Sequence, residues 1–211
     1  MPHLIDKKDE SRIVLVGGTI CTGKDTVARM VYNKLKSHGS YPFEISMTDC
    51  VRQVGGLTPE SQREKYAELF KGKENSPWIA RAISNAVEFE ENQIVVVSGL
   101  RRKCDAAYFS ENFPNSYFIN LLADEGTLVE RIIARNMPMD FPEGTKESEK
   151  PGIAKALLAE EEKTHRIMEM LGYVASEVPR ERTYLIQNDR EEDFSGLELG
   201  VYRALIKFKL V

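Results

Sequence analysis

GGTICTGKDT, residues Gly17 to Thr26, lies directly after the β-branched run RIVLV (12–16) and directly before VARMVYNKLK (27–36), whose apolar positions recur at helical spacing. From Gly18 to Gly23 and Lys24 the spacing is G-x-x-x-x-G-K, and strand, glycine-rich turn and helix follow one another in the order that motif requires. Glycines let the backbone wrap tightly enough for successive N–H groups to converge on phosphate oxygens, and the helix N-terminus adds its partial positive charge. Lys24 would then reach the β- and γ-phosphates of a bound nucleotide. Where Ser or Thr commonly follows the lysine and touches Mg²⁺, this chain has Asp25, with Thr26 next.

Working outward, four more β-type runs follow RIVLV: PFEISM (42–47), QIVVVS (93–98), SYFINLL (116–122) and TYLIQN (183–188). Apolar runs separated by helical stretches read as parallel strands covered on both faces, which predicts an open, doubly wound α/β domain with its ligands at the carboxyl ends of the strands. Two connections are too long for plain crossovers. Residues 49–92 carry charged and apolar helical segments and read as a helical insert over one side of the site, with Tyr66 and Trp78 in it; Trp78 reads as the insert's core anchor. Residues 136–150, NMPMDFPEGTKESEK, are rich in Pro, Gly and charge and read as a lid loop. Beyond it, AEEEKTHRI (159–167) reads as a solvated helix face and His165 as a surface histidine.

Composition narrows the partners. The 211 residues are 42% hydrophobic with a formal net charge of −4, enough for one domain with a full core and no basic surface for nucleic acid. An anionic ligand must be met by local basic groups, which suits a small phosphorylated molecule. Cys21, Cys50 and Cys104 are odd in number and lie in no metal-ligand spacing, as expected of reduced thiols. The first ten residues, MPHLIDKKDE, hold no apolar leader segment, and no run approaches a membrane span, so the expectation is a soluble cytoplasmic protein without a membrane partner. Nothing in the sequence sets an oligomeric state.

Arginines cluster after successive strands: Arg52 in SMTDCVR (46–52), Arg101 and Arg102 in SGLRRK (98–103), and Arg131 and Arg135, four apart on one helix face, in ADEGTLVERIIAR (123–135). Phosphoryl transfer is catalysed mainly by positioning and by neutralising charge on the moving group, and the arginine fork holds phosphate in two bonds. Together with the glycine loop, these segments resemble the nucleoside monophosphate kinases of the adenylate kinase type; the GKDT loop is also similar to that of phage deoxynucleoside monophosphate kinases, and the strand-end segments to archaeal dephospho-CoA kinase-like proteins.

The resemblance implies a P-loop NTPase three-layer α/β/α sandwich, with a five-stranded parallel sheet in the order 2-3-1-4-5, a helical acceptor insert and a short lid. It implies ATP and Mg²⁺ and transfer of the γ-phosphoryl group to a nucleoside or deoxynucleoside monophosphate, with a hydroxyl acceptor or a nucleotide-binding regulatory module as the alternatives. Carried over by position, Gly18, Thr19, Cys21, Thr22, Gly23, Lys24, Asp25 and Thr26 form the donor phosphate site and Arg131 lies near the donor base. Asp49 and Arg52 belong to the acceptor, joined by Arg101 or Arg102 depending on the alignment. Lys24, Arg102 and Arg135 would serve the transfer itself, Arg135 as the lid closes. Relatives have Asp where this chain has Ser98; Asp25 either supplies that charge to Mg²⁺, with Thr26, or favours the first turn of the helix. Asn188 and Asp189 end the last strand where relatives read the donor base.

Overall fold

The computed structural model describes residues 11–56, 68–73, 75–87, 93–138, 140–189 and 194–211. Five strands, β1 (Arg12–Gly17), β2 (Tyr41–Ser46), β3 (Gln93–Leu100), β4 (Ser116–Leu122) and β5 (Thr183–Gln187), form one parallel sheet in the order β2-β3-β1-β4-β5. The helices are α1 (Lys24–Ser37), α2 (Met47–Gly55), α3 (Trp78–Ala86), α4 (Lys103–Asn112), α5 (Glu125–Arg135), α6 (Lys150–His165), α7 (Ile167–Glu177) and α8 (Phe194–Lys207). The segment 57–67, and with it Tyr66, lies outside the described residues.

Strand composition follows position in the sheet. β1 and β3 are buried on both faces, so every residue from Ile13 to Val16 and from Ile94 to Val97 is apolar. β2 and β5 are the edges; Tyr41, Phe43 and Leu185 are exposed there, and Pro42, which cannot donate to a ladder, is tolerated. One apolar cluster packs α2, α3, α4 and α7 against one face around Phe109, Phe113 and Phe118, and a second packs α1 and α8 against the other around Val31, Leu35 and Leu205. Each such side chain contributes roughly 1.5–3 kcal/mol when fully buried. Among the described residues no helix is long and apolar enough to cross a membrane.

Two departures from a plain crossover shape the carboxyl end of the sheet. Val16 pairs with Ser98 but Gly17 pairs with Leu100, so Gly99 is bulged out of the ladder toward Met47 and Thr48. Between α5 and α6, Phe141 packs with Val129, Ile132 and Ala154, so the loop expected from its Pro, Gly and charge content is pinned by a small apolar cluster of its own.

Candidate active site

The loop between β1 and α1 is built by its glycines. Gly18 has φ +147°, and a Cβ there would lie 2.7 Å from Thr22 Oγ1 and 2.9 Å from the carbonyl of Leu121. Gly23, at φ +89°, is the residue on which the helix starts, and its Cβ would meet Asn188 Nδ2 at 2.9 Å. Only glycine satisfies both the dihedral and the space. Thr22 Oγ1 donates to the Thr19 carbonyl at 2.9 Å, and the N–H of Gly18 donates to the Leu100 carbonyl at 3.3 Å, tying the loop to the end of β3.

Lys24 is buried beneath this loop and donates to the Thr19 carbonyl at 3.2 Å. Burial pushes its ammonium down to about 8, and the nearby Arg101 guanidinium pushes the same way. An unpaired buried cation is costly, so this lysine gains from an anion in the loop. Asp25 and Thr26 stand exposed in the first turn of α1, and Cys21 has φ +59° at the loop's turn.

On the β5 side of the loop, Asn188 Nδ2 donates to the Thr22 carbonyl at 2.8 Å, while Arg131 reaches Asn188 Oδ1 at 3.5 Å and the Cys21 carbonyl at 3.4 Å. The ends of β1, β4 and β5 thus meet beside the loop. Arg135 is turned toward the connecting segment, where its Nε and Nη2 donate to Oδ2 of the buried Asp140 at 3.0 and 2.6 Å. Burial raises the Cys21 thiol, and the charge of Arg135, followed by that of Lys24, opposes the rise, so Arg135 still acts on the phosphate loop.

The adjacent arginines after β3 part company. Arg102 is buried and donates to the carbonyls of Lys73 and Ser76 at 2.7 and 2.8 Å, with Asp105 Oδ2 at 3.8 Å and the Phe70 ring centroid at 4.9 Å. It straps the described part of the insert to the sheet. Arg101 instead meets α6, its Nε 3.4 Å from Glu161 Oε1, and its charge acts on Lys24. Among the described residues its terminal nitrogens make no hydrogen bond. Asp49 and Arg52 pair with each other at 2.8 Å near the protein surface.

A small, partly open cleft of about 10 Å³ is lined by Met47, Thr48, Ile79, Gly99, Arg101, Arg102, Asp105 and His165, the last of which feels the charge of Lys24. Two of these were not legible from the chain. Asp105, in the first turn of α4, accepts from the Ala80 N–H at 3.2 Å, and burial raises its carboxyl to about 6 against the pull of Arg102. His165, expected at the surface, is buried edge-on against Phe70 at 5.7 Å; burial, then Arg101, Arg102 and Lys24, lower it to about 3. It is therefore neutral at physiological pH.

The reading of 159–167 as a solvated face is corrected in the same way. Glu160 and Lys163 do face solvent, but Glu161 points inward with its side chain 9% exposed. Lys150, Ala154, Leu158, Glu161 and His165 form one stripe at helical spacing, all buried or half-buried. That stripe was the available signal, and the surrounding charges masked it. Trp78 packs against Phe70 at a centroid distance of 5.4 Å, as expected of an anchor.

Sheet order, crossovers, the glycine loop after the central strand and the buried lysine opening α1 together define the P-loop kinase fold. No protein-family model matches the chain. The UPF0200 protein TV0279 of Thermoplasma volcanium is 25% identical over 134 residues, covering 61% of this chain and 70% of its own. Shikimate kinase from Bacteroides thetaiotaomicron superposes with a TM-score of 0.52 at 16% identity, over 94% of this chain and 98% of that one. Shikimate kinase from Acinetobacter baumannii, solved in complex with shikimate, does so with a TM-score of 0.52 at 16% identity, over 94% and 93%. At such identities the likeness is one of fold.

Proposed function

We propose that this protein is an ATP-dependent phosphotransferase that moves the γ-phosphoryl group to a small acceptor in the cleft beside Lys24. The observation that carries the reading is the buried Lys24 beneath a glycine-built loop, within the field of an Arg101 whose terminal nitrogens make no hydrogen bond among the described residues. In this reading the loop N–H groups of Gly18 to Thr26 hold the donor phosphates, Lys24 neutralises the moving group, and Arg131 and Asn188 border the donor base. Arg101, and not Arg102, supplies the guanidinium at the transfer point, since Arg102 is committed to the insert. Arg135 would exchange Asp140 for phosphate when the lid segment closes and water is excluded.

Asp25 and Thr26 are exposed oxygen donors at the mouth of the loop, a donor set that suits a hard divalent cation. They would hold Mg²⁺, whose charge would offset that of the donor phosphates. Buried Ser98 adds no carboxylate to that set. The protein would work in the cytoplasm on small metabolites.

The resemblance of the strand-end segments directs the first reading of the acceptor to a nucleoside or deoxynucleoside monophosphate, with Asp49 and Arg52 on its phosphate. A second reading, a hydroxyl acceptor, is favoured by the carboxylate of Glu161 at the transfer point and by the apolar Met47 and Ile79 in the cleft. The shikimate complex of a kinase sharing the fold is compatible with it. ADP production from MgATP across ribo- and deoxynucleoside monophosphates, shikimate and dephospho-CoA tests the proposal, with Lys24→Ala as the blank. Turnover with at least one acceptor is expected, falling at least 100-fold in the variant. Equal ADP production by the variant would sink the phosphotransferase reading.

A further inference from the structure

A carboxylate sits where phosphate recognition alone would place none. Glu161 enters from α6 with Oε1 3.4 Å from Arg101 Nε, the two side chains 9% and 20% exposed. Its charge acts on Lys24 and on the Cys21 thiol, both in or under the phosphate loop. Like charges about 6 Å apart repel by roughly 3 kcal/mol at an effective dielectric constant near 20. A buried anion here therefore opposes ATP and opposes an anionic acceptor still more, because among the described residues the cations near the cleft already have partners. Arg102 is engaged by two carbonyls and Asp105, Arg52 is paired with Asp49, and His165, one turn beyond Glu161, is neutral.

A carboxylate beside a phosphoryl centre does have one use, accepting the proton of an attacking hydroxyl. A phosphate acceptor, already ionised, needs no such group. We infer that Glu161 is the proton acceptor for an alcohol, and that the molecule phosphorylated by this protein reacts through a hydroxyl. The inference rests on the phosphotransferase reading and chooses between its two acceptors. In the step itself the acceptor's hydroxyl oxygen attacks Pγ, forming the new O–P bond. The bond from Pγ to the bridging oxygen breaks, ADP leaves with that electron pair, and the hydroxyl proton passes to a carboxylate oxygen of Glu161. Arg101 holds Glu161 at its Nε side, which leaves the terminal nitrogens for the transferred group.

The test uses the full chain, Glu161→Gln, the charge-keeping Glu161→Asp and Lys24→Ala. ADP formation from MgATP is followed with water alone, with alcohols (nucleosides, sugar phosphates, shikimate and dephospho-CoA) and with nucleoside monophosphates, and MgATP affinity is measured by titration. Expected is Lys24-dependent turnover with an alcohol, lowered 100-fold or more in Glu161→Gln at unchanged or tighter MgATP binding, and partly restored in Glu161→Asp. Transfer to a nucleoside monophosphate that survives Glu161→Gln would overturn the inference and leave the phosphotransferase standing. So would loss of MgATP binding in parallel with rate, since Glu161 would then only hold Arg101. Bound MgATP with no Lys24-dependent ADP from water or any alcohol also refutes it, whereas failure of the wild-type chain to bind MgATP refutes the phosphotransferase reading itself.

Discussion

His165 and Asp105 face the same cleft and titrate in opposite senses. The imidazole, lowered from 6.5 to about 3, is protonated far more readily when the chain unfolds, so its contribution to stability is present above pH 6.5 and is lost as pH falls toward 3. The carboxyl, raised from 3.8 to about 6, holds its proton better in the folded state, so its contribution is present below pH 3.8 and is lost as pH rises through 6. Each pKa unit corresponds to about 1.4 kcal/mol. Between pH 6 and pH 4 the two partly cancel. His165→Gln is expected to lose less stability than the wild type on acidification across that window, and Asp105→Asn to lose more. Urea unfolding at pH 6.5 and pH 4 checks both; parallel behaviour of the two variants would contradict the assigned environments.

Among the elements, the junction of β3 and α4 divides labour between neighbouring residues. Successive side chains at a strand end diverge, and Arg102 turns to the carbonyls of Lys73 and Ser76 while Arg101 meets Glu161 of α6. Removing Arg102 leaves two carbonyls and Asp105 without their cation, a loss of about 3 kcal/mol by the behaviour of buried ion pairs. Arg102→Ala is expected to lower Tm by roughly 6–12 °C, at about 2–4 °C per kcal/mol for a chain of this size. Arg101→Gln should shift Tm by less than half as much yet remove Lys24-dependent transfer. Differential scanning calorimetry with the ADP assay decides it; the reverse ranking would mean that the roles are exchanged. α6 makes a similar division around its axis, with Glu160 and Lys163 outward and Glu161 and His165 inward.

At the scale of the molecule, the phosphate loop lies at the carboxyl end of the central strand, with β4, β5 and α5 to one side and β2, β3, α2 and α3 to the other. A ligand bridging them stabilises the folded chain by mass action. MgATP at 100 times its Kd should add about 2.7 kcal/mol, raising Tm by roughly 5–10 °C, and should fail to do so in Lys24→Ala. Thermal shifts across a MgATP titration measure this, and equal shifts in both proteins would show that the nucleotide binds elsewhere.

The glycine loop and the five strands could be read along the chain, because strand period, helical period and loop spacing are local properties of consecutive residues; the order of the strands came from the family resemblance. Arg131 and Asn188, singled out by the resemblance, do stand beside the loop. That Arg102 is committed to Lys73 and Ser76 while Arg101 pairs with Glu161 was not legible, nor that Glu161 and His165 turn inward from a charged helix, nor that Asp105 is buried. Those outcomes depend on which face of each element meets the sheet and on what stands opposite it: Asp105 is matched to the N–H of Ala80, 25 positions earlier, and Glu161 to Arg101 across the fold. A charge goes inside only where a distant partner meets it, and such partners are chosen by tertiary packing rather than by neighbours in the chain.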